Sequence, residues 1–198
     1  MTSASVVSTS PAQPWNLPSR GMVGMACLII AESAIFIIFV VAYIYYIGRS
    51  LSGPTPREVL ELPIFSTVCL LSSSVTVHFA SHALAAAKRH ACSLWLAATV
   101  LLGGTFLGAT AVEWYGLIYK HGLTIQTNLF GTTFYSLVGL HASHVIVGLF
   151  MLLLALIFSL TGAMTSRHTY RLEVLSVYWH FVDAVWVVVF TVVYILGR

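Results

Sequence analysis

Charge is what this sequence has least of. Asp, Glu, Lys and Arg make up only 8% of its 198 residues, against about 25% in soluble domains. Apolar residues reach 59% and the mean hydropathy is +0.93. That inventory cannot cover a water-facing surface, so lipid is the solvent for most of the chain. The net charge of +3 comes from nine basic and six acidic residues scattered along the chain, which excludes the dense basic patch that nucleic acid requires. Cysteine is scarce too. Cys27, Cys69 and Cys92 form no C-x-x-C pair and lie in or beside apolar runs, so they are expected as buried free thiols and not as a disulfide framework. The sequence lacks G-x-G-x-x-G, Walker, H-E-x-x-H and G-x-S-x-G patterns, and with them the usual signs of nucleotide, zinc-protease and hydrolase chemistry. No internal repeat of the transporter kind is visible.

What the sequence has in quantity is long apolar runs. A helix needs ~20 mostly apolar residues to cross ~30 Å of hydrocarbon. Five segments qualify: about 22–47, 62–87, 94–119, 132–160 and 173–196. Barrel strands would be ~10 residues long and strictly alternating, and these runs are neither. The fold class is therefore all-α, an integral membrane bundle of five transmembrane helices. Residues 1–20, rich in Ser, Thr, Ala and Pro, read as a disordered tail. They do not read as a secretory signal, because Arg20 leads into a run long enough to stay as a span. Residues 21–198 form the membrane domain. Charge collects between the runs, at Arg49, Arg57, Glu58 and Glu61, at a compact Lys88-Arg89-His90 loop, at Lys120 and His121, and at Arg167, His168 and Arg171. Arg20, Lys88, Arg89, Arg167 and Arg171 outnumber Arg49, Arg57, Lys120 and Arg198, which favours a cytoplasmic N-terminus.

Ionisable groups inside a span are costly, at ~2.5–3.5 kcal/mol for Asp near a helix centre. Glu32 stands in CLIIAESAIFIIFVV with no basic residue within a turn. It reads either as a proton-holding or lipid-contacting site, or as a carboxyl hydrogen-bonded at a helix contact. His78 and His82 share one helix face, as do His141 and His144. Glu173, His180 and Asp183 form a polar stripe on the last span, and Glu113 precedes Trp114, Tyr115 and Tyr119, which suit an interface belt. The histidine spacings are compatible either with a metal centre in a bundle core or with hydrogen bonds between helices. Gly103, Gly104 and Gly108 are expected to let helices approach closely.

Two stretches resemble a known family. GTTFYSLVGLHASHVIVGLFMLL and LEVLSVYWHFVDAVWVVVFTVVYI are similar to the signature segments of subunit III of the haem–copper terminal oxidases, the cytochrome c oxidase subunit III family. There a G-S-T-F-F run leads to G-F-H-G-x-H-V-I-x-G, and F-E-x-x-x-W-Y-W-H-F-V-D-x-V-W follows. Tyr178 to Asp183, Val185 and Trp186 carry the strongest match. AESAIFIIFVVAYIYY around Glu32, SSSVTVHFASHAL around His82, and Glu113-Trp114-Tyr115 extend it over nearly everything after Arg20. Leu172 and Val177 depart from the pattern, each an apolar residue where the family has an aromatic one.

The resemblance implies a chain without haem, copper or catalytic residues of its own, in a bacterial inner membrane. Haems and copper would lie in the catalytic subunit I, with subunit II and other respiratory subunits and membrane phospholipid as further partners. It implies support of that subunit, lipid binding and proton uptake. By register, Glu32, His82, Glu113, His144, Glu173, His180 and Asp183, together with His141, make up the intramembrane polar set. Longer members have seven helices and a lipid-holding cleft between the first two and the other five, so five spans remove the basis for inferring that cleft here. Two other readings remain open at this point: a similar partner of a nitric oxide reductase, and a stand-alone histidine-metal membrane oxidoreductase. The electron donor, cytochrome c or quinol, is left open.

Overall fold

The computed structural model describes residues 19–49 and 53–197. Most of the expected tail, and Arg198, lie outside the described residues, as do the side chains of Arg57 and Glu58. Five helices are long and apolar enough to cross a membrane, and no strand occurs among the described residues. These are α1 (Arg20–Tyr46), α3 (Ile64–Ala85), α4 (Arg89–Tyr119), α5 (Leu129–Leu160) and α6 (Thr169–Phe190), with α6 continued by a π-helical turn at Thr191–Leu196. A single extra turn, α2 (Pro56–Val59), lies between the first two spans.

Helix ends depart from the hydropathy limits for identifiable reasons. The expected Lys88-Arg89-His90 loop is in fact a turn one step earlier. Ala87 adopts a left-handed conformation at φ 57°, Lys88 N–H returns to Ala83 C=O at 2.9 Å, and α4 starts at Arg89. Charge alone does not stop a helix at the membrane edge, where long basic side chains reach water. Likewise α5 starts three residues before the expected Thr132, because Asn128 caps it. The Asn128 side chain accepts from Gly131 N–H at 2.8 Å, satisfying a donor that the first turn leaves open. At the other end, Gly162 at φ 76° turns the chain, and its own N–H to Ser159 C=O at 3.3 Å and the Met164 N–H to Phe158 C=O bond of 3.0 Å satisfy carbonyls of the last turn of α5.

α3, α4, α5 and α6 pack in a closed ring, each against the next and α6 back against α3, while α1 docks outside it on α5 and α6. The ring is built in layers around a heptad stripe of α6 and the π-helical turn that continues it: Leu172, Trp179, Trp186 and Val193, all buried. In one layer the Trp179 indole donates to Ser73 Oγ of α3 at 2.8 Å and lies against Gly103 of α4 and Gly148 of α5. A Cβ on Gly148 would stand 2.8 Å from that ring, and one on Gly103 3.0 Å. Gly104 and Gly108 meet nothing within 4 Å, so the close approach expected of all three glycines belongs to Gly103 alone. In the next layer Trp186 donates to Thr67 Oγ1 at 3.1 Å, stacks on His141 at 4.9 Å and meets the edge of Phe106 at 4.7 Å.

α1 is different: only Phe36 and Tyr43 are buried on it. Cys27 is therefore exposed, against expectation, while Cys69 and Cys92 are buried free thiols.

Candidate functional site

Glu32 lies twelve residues into α1, about 18 Å along the axis. Its Oε2 is 3.1 Å from His144 Nε2 of α5. The other ring nitrogen, Nδ1, is 2.8 Å from the Leu140 carbonyl. A carbonyl only accepts, so Nδ1 carries a hydrogen. One proton is then shared between Nε2 and the carboxyl, and the pair has no net charge whichever atom owns it. Phe36 packs at 5.0 Å from the His144 ring, and Tyr178 O–H of α6 donates to the His144 carbonyl at 3.2 Å. The carboxyl thus sits at a helix contact that ties α1, α5 and α6 together.

A second cluster occupies the opposite flank of α6. Ser74 of α3 bonds both Asp183 Oδ2 and, at 2.9 Å, His180 Nδ1. Ser176 Oγ lies 3.2 Å from His180 Nε2. With Asp183 ionised the bonds run one way: Ser176 O–H to His180, His180 Nδ1–H to Ser74, Ser74 O–H to Asp183. With Asp183 protonated every bond reverses. Asp183 is 3% exposed, and its Oδ1 has no hydrogen-bond partner among the described residues. Beyond Ser176 the chain opens into a groove of about 320 Å³ that is also lined by His78, Ser81, His82 and Glu173. The His78 and His82 rings meet at 4.5 Å.

The remaining expected residues stand apart. Glu113 of α4 accepts from Tyr194 O–H at 2.9 Å, close to the far end of the bundle. His141 shares its helix with His144 but points elsewhere. It is fully buried, and neither nitrogen has a hydrogen-bond partner among the described residues. Its ring serves as a flat surface under Trp186. The four histidines of the two spaced pairs therefore do not converge, and no group of three or more His, Cys, Asp or Glu among the described residues is placed to hold a metal ion.

Pattern reading passed over the hydroxyls that link these groups. Ser74 bridges Asp183 and His180, and Ser73 and Thr67 hold the two tryptophans. A signal was present: Thr67, Ser74 and Ser81 recur every seventh residue and share one face of α3.

Sequence comparisons establish the family. Residues 18–198 match the family model for cytochrome c oxidase subunit III. The chain is 33% identical to cytochrome c oxidase subunit 3 of Alkalihalophilus pseudofirmus, with 98% of each chain covered. It is 30% identical to cytochrome c oxidase subunit 3 of Bacillus subtilis, over 96% of this chain and 94% of that one. To cytochrome bo(3) ubiquinol oxidase subunit 3 of Pseudomonas aeruginosa it is 32% identical, over 88% and 84%. With a family match over almost its whole length and relatives that it covers nearly end to end, this multi-pass membrane protein belongs to the cytochrome c oxidase subunit III family.

Proposed function

We propose that the chain is the non-catalytic third subunit of a bacterial haem–copper oxidase, with its N-terminus on the cytoplasmic side of the inner membrane. Haems and copper belong to a partner catalytic subunit, and oxygen is reduced there. Subunit II, other respiratory chains and phospholipid complete the assembly. The relatives named above are all oxidases, which favours oxygen over nitric oxide as the substrate of the complex. Their names include both cytochrome c and ubiquinol types, so the electron donor is taken to be a property of the partner chains.

The role assigned to this chain is to hold the catalytic subunit in a state that sustains turnover and to keep exchangeable protons within the bilayer. The observation that carries the proton role is the pairing of Glu32 with His144 across α1 and α5. A carboxyl and an imidazole that share one proton exchange it without creating net charge in hydrocarbon, where an isolated charge is expensive. The Ser176–His180–Ser74–Asp183 chain supports the same role. A proton accepted at Ser176 and passed along it ends on Asp183, with every bond reversed.

The test is Glu32→Ala in the purified complex. Assembly, haem content and initial oxygen consumption are expected to stay intact, while proton uptake and activity over prolonged turnover fall. Kinetics unchanged on both counts would remove Glu32 from the mechanism.

A further inference from the structure

The perimeter of the bundle is apolar almost everywhere. Ile30, Ile37, Ile38 and Val41 of α1 face outwards, as do Leu94, Leu101 and Val112 of α4 and Ile146, Phe150 and Ile157 of α5. Two grooves break that pattern: at one end of the bundle Glu61, Glu113, Lys120 and His121 line a groove between α3 and α4, where Glu113 is already held by Tyr194, and at the other lies the groove between α3 and α6. His78 and His82 on α3, and Glu173 and His180 on α6, are all exposed there, within the spanning segments. Among the described residues, none forms a hydrogen bond or ion pair with Glu173, and the His78 and His82 side chains take part in no hydrogen bond, meeting each other and Phe79 through their rings. Groups of this kind inside a membrane face protein or a water-filled cavity, because acyl chains offer them no partner.

We infer that this α3–α6 groove is the surface that docks on the redox-centre-bearing subunit. Its occupant is a membrane-spanning helix whose hydroxyl, amide or basic side chains meet Glu173 and the three imidazoles. The inference rests on the subunit reading above and goes further by naming the face. A second copy of this chain fits less well. A two-fold axis along the membrane normal keeps each residue at its own depth and sets the same patch against itself, so Glu173 would oppose Glu173. A foreign helix can instead place a donor at that level. The groove also opens at Ser176, the entry of the hydrogen-bonded chain to Asp183, so the docked helix would lie where that chain ends.

The experiment places a photo-crosslinking amino acid at Ala85 and Val177, which line the groove, and at Leu101 and Val112 on the outer face of α4. The whole complex is then irradiated in its membrane. The expected result is a crosslinked band of combined mass carrying haem at Ala85 and Val177, lost at the α4 positions. Crosslinks from the groove to lipid alone or to a second copy of the chain would overturn the inference, as would haem-bearing crosslinks from α4 only. In parallel, the double variant H78L/H82L is expected to lose co-purifying haem, because leucine suits lipid but not a polar partner; haem yield equal to the parent would count against the groove. If the unmodified chain brings down no haem at all, the subunit reading itself fails, which distinguishes the two failures.

Discussion

The indole N–H of Trp179 donates to Ser73 Oγ at 2.8 Å where four helices meet. Ser73 passes its own hydrogen to the Leu70 carbonyl, so the serine anchors α6 to α3 without leaving a donor idle. Ser73→Ala deletes the only acceptor among the described residues for a fully buried indole. Hydrogen bonds between helices in membranes average about 0.6 kcal/mol and reach about 1.7. An orphaned buried donor adds to that, so a loss of about 1–2 kcal/mol is expected. Detergent- or heat-induced unfolding of the purified protein measures it. A cycle with Trp179→Phe would sink the assignment if the two effects simply added.

The same indole makes a steric prediction. Gly148→Ala drives a methyl group to 2.8 Å from the ring, and Gly103 closes the escape on the other side. Overpacking of this kind costs about 1–3 kcal/mol. Gly104→Ala, one residue away on α4 and facing open space, is expected to be neutral or to gain up to about 1 kcal/mol of helix propensity. Melting temperatures of the two variants should therefore move apart; a shared shift would show that Trp179 is free to move.

Glu113 and Tyr194 allow a test at the far end of the bundle. Tyr194 sits on the π-helical turn at Thr191–Leu196, and its O–H is 2.9 Å from Glu113 Oε1. Tyr194→Phe keeps the ring and removes the donor, with an expected loss of about 1–2 kcal/mol. Adding Glu113→Leu should recover part of that loss, since both partners are then apolar. A double variant whose loss equals or exceeds the sum of the two single losses would mean the pair is not coupled in this way.

Five spans were legible because the bilayer leaves little choice. Backbone groups must bond internally, and the apolar runs have the length that requires. The ends of the helices were less legible, since hydropathy does not register a cap such as Asn128 or a left-handed residue such as Ala87. Of the polar residues, Glu32, Asp183 and His180 stood out because a titratable group in an apolar run is conspicuous. Their partners did not. Ser74 and Ser176 are unremarkable in a membrane helix, where a hydroxyl readily bonds its own backbone. His141 and His144 show why spacing alone was ambiguous. Three residues along a helix leave about 60° between side chains. That angle turned one ring onto Trp186 and the other onto Glu32.

The docking of α1 outside the ring has a consequence for biogenesis. Chains enter the membrane from the N-terminal end during synthesis, at about 5–20 residues per second. Glu32 therefore leaves the ribosome 112 residues before His144, and α5 and α6, against which α1 packs, are the last spans to be made. For several seconds the Glu32 carboxyl is therefore without the imidazole that it meets in the folded chain. Assembly of this polypeptide is thus closed by α5 and α6, and a nascent chain halted before α5 would hold its first helix by the connecting segment without the packing it has in the folded chain.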